Sequence, residues 1–192
     1  FTLNISKNLN IITDPWAVIS SNVWTIWANI TTRITWVNVN KANVAWNNIL
    51  LQNGSVVYLD WHTFQSNSGW LFGRVWNSLV TWAEAHVRFK QTKWSHLSTG
   101  ASFFQMYDCT NCKFNMECDL WEADTSLIAI RIAIWNTVNF ICNDYNPTFT
   151  VTHNGRFIWW ADGNGSNWNN VHVKARKLNW SHNLAFFMKT WD

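Results

Sequence analysis

Apolar residues alternate with polar or small residues along much of this 192-residue chain. Segment 24–30 reads Trp-Thr-Ile-Trp-Ala-Asn-Ile, and segment 34–39 reads Ile-Thr-Trp-Val-Asn-Val. Because successive side chains of a strand point to opposite faces, a repeat of two residues is typical of a half-buried β-strand. Turn sequences separate such segments at Asn53-Gly54, 67–69, Asn154-Gly155 and 162–165. This pattern predicts an almost purely β-stranded protein.

The spacing of the turn sequences predicts about ten strands. Candidate strands cover residues 24–30, 34–39, 56–61, 79–90, 102–107, 127–135, 138–142, 149–153, 157–161, 171–177 and 184–190. The clearest hairpin is predicted over 148–161, and helix is limited to a turn or two near 79–84. No internal repeat is apparent. We therefore expect an all-β fold, an antiparallel β-sandwich of the jelly-roll type, as a single domain over residues 1–192.

The composition limits the classes of partner. Hydrophobic residues make up 48% of the chain and charged residues 13%, which is typical of a globular domain. The net charge of +3 is small and scattered, so nucleic acid is not an expected partner. The longest basic run, residues 174–177, fits a solvated strand edge better than a phosphate contact. No segment approaches the ~18 apolar residues of a membrane helix, so no membrane span is expected in this chain.

Cysteines and sequons indicate a secreted protein. The four cysteines are Cys109, Cys112, Cys118 and Cys142. Their spacing lacks the second pair of a zinc ribbon, so disulfides are favoured over a metal site, and no cofactor is expected. Five Asn-x-Ser/Thr sequons agree with a secretory route and with N-linked glycans. They begin at Asn4, Asn29, Asn53, Asn164 and Asn179.

One short segment carries a catalytic pattern. Residues 117–123 read Glu-Cys-Asp-Leu-Trp-Glu-Ala, which resembles the Glu-x-Asp-x-Trp-Glu-Ala signature of family 7 glycoside hydrolases. That resemblance implies a retaining glycosidase with Glu117 as nucleophile, Glu122 as acid and Asp119 as the neighbour that tunes the pair. Only these residues match, so a solvated acidic loop between two strands is the favoured interpretation. The six histidines show no metal or triad spacing and are expected at the surface or at strand edges.

A series of short motifs runs through the chain from Ser21 to the C-terminus. The most specific is Gly69-Trp70-Leu71-Phe72-Gly73. The others lie at 21–27, 53–58, 65–68, 77–78, the Cys109/Cys112 cluster, 146–151, 162–170 and 185–189. In this order they resemble the N-terminal domain of betacoronavirus spike glycoproteins, closest to the sarbecovirus branch, which shows a Gly-Trp-Ile-Phe-Gly turn. The chain would cover about the first two-thirds of that domain. Two of the family's sequons are lost here, at Asn22 and at Asn146, which Pro147 follows.

The resemblance implies a galectin-like antiparallel β-sandwich on the virion envelope surface, within a trimeric spike. It implies attachment to a host glycan or protein receptor, exposure to neutralising antibodies, and no catalysis. A carbohydrate-active hydrolase fragment and a secreted lectin are the alternatives.

The resemblance also implies roles for individual residues. It pairs Cys109 with Cys142, and Cys112–Cys118 is then the remaining pair. It places Trp70 and Phe72 in an interior apolar pocket. The polar loop 162–170, with its sequon at Asn164, is expected at the solvent-exposed rim, as a plain connection or as a contact for a receptor or an antibody.

Overall fold

The computed structural model describes residues 2–12, 23–35, 39–41, 49–66, 73–75, 80–94, 102–123, 126–145, 158–161 and 168–178. These residues form sixteen strands: β1 Thr2–Ile5, β2 Leu9–Ile12, β3 Val23–Ile26, β4 Thr31–Thr35, β5 Val39–Lys41, β6 Ile49–Leu51, β7 Val56–Ser66, β8 Gly73–Val75, β9 Val80–Thr81, β10 Glu84–Trp94, β11 Ser102–Thr110, β12 Lys113–Ala123, β13 Ser126–Ile134, β14 Thr137–Tyr145, β15 Ile158–Ala161 and β16 Asn170–Leu178. Within these ranges, no helix is long and apolar enough to cross a membrane.

The described strands form two parallel sheets of eight strands each. The first sheet has the order β1-β3-β6-β8-β11-β13-β15, with β9 also beside β11. The second has the order β2-β4-β7-β10-β12-β14-β16, with β5 also beside β7. The chain therefore passes from a strand of one sheet to a strand of the other and then returns to the first sheet, next to the strand it left. We call one such passage a circuit, and the pair of strands that it contributes a level. Paired residues lie 21 positions apart in one pair of strands (Thr2 with Val23) and 33 in another (Thr137 with Asn170). This arrangement is a parallel β-solenoid.

The core lies between the two sheets. In β10, Ala85, Val87 and Phe89 are buried, whereas Arg88 is exposed. Adjacent levels are in register, so buried residues stack in rows. Two such rows are Val57, Ala85, Phe114 and Val138, and Leu59, Val87, Met116 and Phe140. Burial of apolar surface, at roughly 25 cal/mol per Å², holds successive levels together.

The corners that lead into the second sheet share one backbone conformation. Six residues at the same stacked position have φ between 56° and 64°: Asn29, Gly54, Trp82, Asn111, Trp135 and Trp168. Glycine and asparagine tolerate this left-handed conformation, whereas other residues pay roughly 1–2 kcal/mol for it. Trp135 and Trp168 stack on each other, with ring centroids 5.5 Å apart and planes 10° from parallel. This contact offsets part of the strain at both corners.

The predicted antiparallel, galectin-like sandwich is wrong, because every described strand pair is parallel. The turn at Asn53-Gly54 does not reverse the chain within one sheet. It leads from β6 in the first sheet to β7 in the second. The predicted hairpin over 148–161 falls mostly outside the described residues. Its described part, β15, pairs in parallel with β13.

Three smaller expectations also differ from the fold. No helical turn forms in the described part of 79–84, which contains β9 and the corner at Trp82. The segment 117–123 lies within strand β12 and is not an acidic loop. The sequence shows no internal repeat, yet the fold repeats once in every circuit of the solenoid. The number of residues in a circuit varies too much for the repeat to appear as a fixed period in the sequence.

Candidate functional site

The outer face of the second sheet carries a continuous row of planar polar side chains. Strand pairing places five residues side by side, one from each of β4, β7, β10, β12 and β14. We call this set the first outer row: Arg33, Tyr58, His86, Asn115 and Asn139. Neighbouring strands lie ~4.8 Å apart, which is close enough for each side chain to contact the next. The solenoid therefore assembles a surface that no local stretch of sequence contains.

Side chains in the first outer row contact one another directly. The Arg33 guanidinium lies 4.7 Å from the centre of the Tyr58 ring. Tyr58 stacks on His86, with ring centroids also 4.7 Å apart and planes 13° from parallel. Asn115 Nδ2 lies 3.2 Å from His86 Nδ1, and Asn139 Nδ2 donates to Asn115 Oδ1 at 2.6 Å. These contacts hold the row in one conformation before any ligand arrives.

A second outer row runs beside the first and provides charge. It contains Asp60 of β7, Arg88 of β10 and Glu117 of β12, which pairing places on adjacent levels. All three side chains are exposed. Together the two rows form an open groove of about 230 Å³, which we call the outer groove. Its lining is Arg33, Tyr58, Leu59, Asp60, His86, Val87, Arg88, Asn115 and Glu117.

Glu84 supports the groove from one side. Its carboxylate accepts a hydrogen bond from Lys113 Nζ at 3.0 Å and lies 3.0 Å from His86 Nε2. Partial burial raises the pKa of Glu84, but hydrogen bonds and charge from Lys113 and His86 outweigh burial and hold this pKa below its ordinary value. A charged Glu84 therefore orients the imidazole of His86 at neutral pH.

The structure places the predicted acidic residues on strand β12. Glu117 and Asp119 are both exposed, and their spacing of two residues puts them on the outer face of the sheet. Glu117 lines the outer groove, whereas Asp119 accepts a hydrogen bond from Asn143 Nδ2 at 2.9 Å. Glu122 lies in the same strand, opposite Lys93 of β10. Glu117 is therefore a predicted acidic residue that the structure brings to the groove.

The four cysteines lie in the core, with neighbours that differ from the predicted pairs. Cys118 Sγ lies 3.2 Å from Cys142 Sγ, and all four thiols are free. Cys109 hydrogen-bonds to Cys112, which raises the pKa of Cys109 and lowers that of Cys112. The expected Cys109–Cys142 and Cys112–Cys118 bridges are therefore not the contacts of the structure. The reason is the register of β12 and β14, which sets Cys118 opposite Cys142.

The remaining predicted sites fall partly outside the described residues. Asn4, Asn29 and Asn53 are exposed, and Asn53 Oδ1 accepts a hydrogen bond from the backbone N–H of Thr81 at 3.0 Å. Asn164, Asn179, Trp70 and Phe72 lie outside the described residues, as does 162–167 of the polar loop. The described end of that loop includes Trp168, whose side chain is 73% exposed.

Sequence reasoning missed most of the groove. His86 was expected only as a surface or strand-edge residue, and nothing singled out Arg33, Tyr58, Asp60 or Arg88. The available signal was weak: polar, planar residues recur at intervals of 25, 28 and 29 positions from Arg33 to Asn115. Recognising it requires knowing that each interval is one circuit.

Comparison with known proteins does not assign the groove. In the described part of the chain, no group of three or more His, Cys, Asp or Glu residues is arranged to hold a metal ion. No protein-family model, no curated protein sequence and no solved structure matches the chain.

Proposed function

We propose that the chain is a non-catalytic, extracellular binding protein that attaches to a neutral, hydroxyl-rich glycan through the outer groove. The observation that carries this proposal is the composition of the groove. Planar polar side chains from four adjacent levels lie side by side there, and they include two cations and two anions. The contacts between side chains of the first outer row also support a binding role, because they hold the groove in one conformation.

The groups in the groove suit the hydrogen-bonding chemistry of sugars. Carboxylate and guanidinium groups each present two hydrogen-bonding atoms in one plane, and a hydroxyl group both donates and accepts. Arg88 therefore supplies hydrogen-bond donors, and the carboxylates of Asp60 and Glu117 supply acceptors on either side of it. Both faces of the Tyr58 ring are already covered, one by Arg33 and the other by His86. We expect a sugar to bind through the edges of these side chains and not by stacking on the ring.

The balance of charge favours a neutral ligand. Arg33 and Arg88 are offset by Asp60 and Glu117, so the groove has no strong field of one sign. A polyanion binds where several cations neutralise its charges, and the two carboxylates would oppose this. A neutral glycan meets no such penalty.

Contacts within the first outer row reduce the entropic cost of binding. An immobilised polar side chain costs roughly 0.5–1.5 kcal/mol on association. Tyr58, His86 and Asn115 already hold one another in place, so that cost is largely met during folding.

Glycan binding is tested by screening the purified protein against neutral, sulfated and sialylated glycans, followed by titration calorimetry on the strongest neutral ligand. Arg88→Ala removes charge-assisted hydrogen bonds and should weaken binding about 10- to 100-fold. Lys174→Ala, an exposed cation on β16 outside the groove, is the matched control and should bind as the wild type does. Preferential binding to sulfated glycans, or equal loss in both variants, would contradict the proposal.

The hydrolase interpretation predicts a different result with the same protein. Incubation with a β-1,4-glucan should leave the polymer intact if the groove only binds. Release of reducing ends that disappears in Glu117→Gln would show a hydrolase and overturn the proposed function.

The proposed setting of the binding protein rests on the sequence alone. Attachment to a host receptor from a virion surface, within a trimeric spike, stays a prediction of the resemblance, as does recognition by neutralising antibodies. The galectin-like sandwich that this resemblance implies is not the fold of the chain. The outer groove therefore supports glycan attachment independently of the resemblance.

A further inference from the structure

The interior of the solenoid brings two cysteines from adjacent levels together. Strand pairing sets Cys118 of β12 directly opposite Cys142 of β14. Both side chains point into the core, where Cys118 is 5% exposed and Cys142 is 1% exposed. Their sulfur atoms are 3.2 Å apart. Two thiols at this distance, on strands that pair in register from Lys113–Thr137 to Cys118–Cys142, have little freedom to move apart.

We propose that Cys118 and Cys142 form a disulfide that links adjacent levels of the solenoid. Neighbouring strands place paired Cα atoms ~4.8 Å apart, which lies within the range of about 4.4–6.8 Å that disulfides span. The sulfur atoms need to approach from 3.2 Å to about 2.0 Å, a shift that side-chain rotation supplies without moving the strands. The link lies beneath the groove, since Glu117 precedes Cys118 in the chain.

The bond forms by thiol–disulfide exchange with a small disulfide such as oxidised glutathione. The thiolate of one cysteine attacks the oxidant, giving a mixed disulfide and releasing one reduced glutathione. The second cysteine, as thiolate, then displaces the other glutathione. The two protein thiols lose two electrons and two protons, and the glutathione disulfide gains the electrons.

The disulfide should form while the chain folds, before both cysteines are buried. In the folded protein, the hydrogen bond to Cys142 and burial both raise the pKa of Cys118, so little thiolate exists there at neutral pH. The Cys142 thiol in turn donates to the backbone oxygen of Asp144 at 3.2 Å. Exchange with the folded protein should therefore be slow, whereas refolding in a redox buffer exposes the thiols before the strands lock.

Cys109 and Cys112 provide the internal comparison. They lie on either side of a corner, Cys109 at the end of β11 and Cys112 just before β12. The Cys112 sulfur also contacts two carbonyl oxygens, of Val80 at 3.7 Å and Thr110 at 3.5 Å. Cys109 and Cys112 also contact each other through a hydrogen bond, but they flank a corner and are not register partners. Because no pair of facing strands holds these two sulfur atoms together, we expect this pair to remain reduced.

The test is refolding of the wild-type protein from denaturant in a glutathione redox buffer, followed by thiol alkylation and peptide mapping. Alkylation is done in denaturant after the redox buffer is removed, because all four cysteines are buried in the folded protein. We expect two of the four thiols to be lost and one linked peptide, Cys118–Cys142, with Cys109 and Cys112 alkylated. The oxidised protein should unfold at a higher denaturant concentration than the same protein after reduction. Four alkylated thiols, or a linked peptide containing Cys109 or Cys112, would overturn the proposal.

A variant pair separates the bond from general effects of oxidation. Cys109→Ser/Cys112→Ser keeps the proposed pair and should still gain the redox-dependent shift in unfolding midpoint. Cys118→Ala/Cys142→Ala should show none. If the second variant does not fold, the linked-peptide map of the wild type still decides the question.

Discussion

At the scale of single residues, Asn136 shows how one side chain joins three levels of the solenoid. It is 1% exposed and lies at a corner, next to Trp135. Its Oδ1 accepts from the backbone N–H of Cys112 at 2.8 Å, and its Nδ2 donates to the backbone oxygen of Cys109 at 3.2 Å. Nδ2 also donates to Asn169 Oδ1 on the next level at 2.9 Å. A buried amide with all these partners fixes the stacking of corners.

Substitution of Asn136 by alanine should destabilise the protein by about 2–4 kcal/mol, because it leaves a buried N–H and a buried carbonyl without partners. Urea unfolding followed by circular dichroism measures the change. Asn143→Ala is the control, since its hydrogen bond to Asp119 is exposed and its loss should cost under about 0.5 kcal/mol. Equal costs for the two variants would show that the buried amide does not hold the corner.

At the scale of elements, strand β10 serves the core with one face and the groove with the other. Over residues 84–89, where its side chains are described, the inward residues are apolar and the outward residues are Glu84, His86 and Arg88. The outward residues link β10 to both neighbours, through Tyr58 on β7 and through Lys113 on β12. Side-chain pairs of this kind contribute roughly 0.2–1 kcal/mol each, so they add little to stability but fix the groove.

The Glu84–Lys113 ion pair should make stability depend on pH in the acid range. The folded-state pKa of Glu84 lies below the ordinary value of 4.5, so the contribution is fully present above that value. It is lost as the pH falls through the lower, folded-state pKa. Lys113→Met should therefore cost up to about 1 kcal/mol at neutral pH and close to nothing in strong acid.

Urea unfolding of the wild type and Lys113→Met at neutral and acid pH measures this difference. Lys174→Met, whose register neighbour is Ile141, serves as the control and should show no such convergence. A cost of Lys113→Met that stays constant with pH would contradict the assignment.

At the scale of the whole molecule, each level of the solenoid pairs only with the levels beside it. Stability should then approximate a sum of level and interface terms, as in other repeat proteins. One level is a clean unit: β11 pairs with β13, and β12 with β14, at the same interval of 24 residues. Removal of 24 residues there keeps inward residues inward in both sheets.

Deletion of residues 113–136 should give a shorter protein that folds cooperatively, with β10 now beside β14 and β11 beside β15. The deletion removes Met116 from the buried row of Val87, Met116 and Phe140. Val87 and Phe140 then become neighbours, and both are apolar. Circular dichroism and urea unfolding measure the outcome, which should be a retained β spectrum and a lower free energy of unfolding.

A deletion of half a level, residues 113–124, is the control. It sends β13 into the second sheet and every later strand into the wrong sheet, so cooperative unfolding should be lost. Cooperative folding of both deletions, or of neither, would argue against stacked levels.

Local sequence was enough to predict that the chain is rich in strands, where many of them lie, and which side chains alternate between the two faces. It predicted about ten strands where the structure describes sixteen, and it missed β1, β2, β6, β8 and β12. Residues such as Val57, Leu59 and Phe140 are buried as their pattern predicts. The Asn53-Gly54 dipeptide also predicted a turn, and the structure has a corner there with a positive φ at Gly54. These are local properties, set by side-chain polarity and by backbone conformation.

The direction of the strands and the composition of the groove could not be predicted from the sequence, because both depend on how distant segments pack. Alternation reports that one face of a strand is buried, but a solenoid and an antiparallel sandwich both bury one face. A left-handed turn residue serves a hairpin and a corner between sheets equally well. Arg33, Tyr58 and His86 become neighbours because each circuit returns the chain to the same row after 25 or 28 residues. Contacts between residues so far apart in the sequence depend on how the whole chain packs, and no local pattern carries that information.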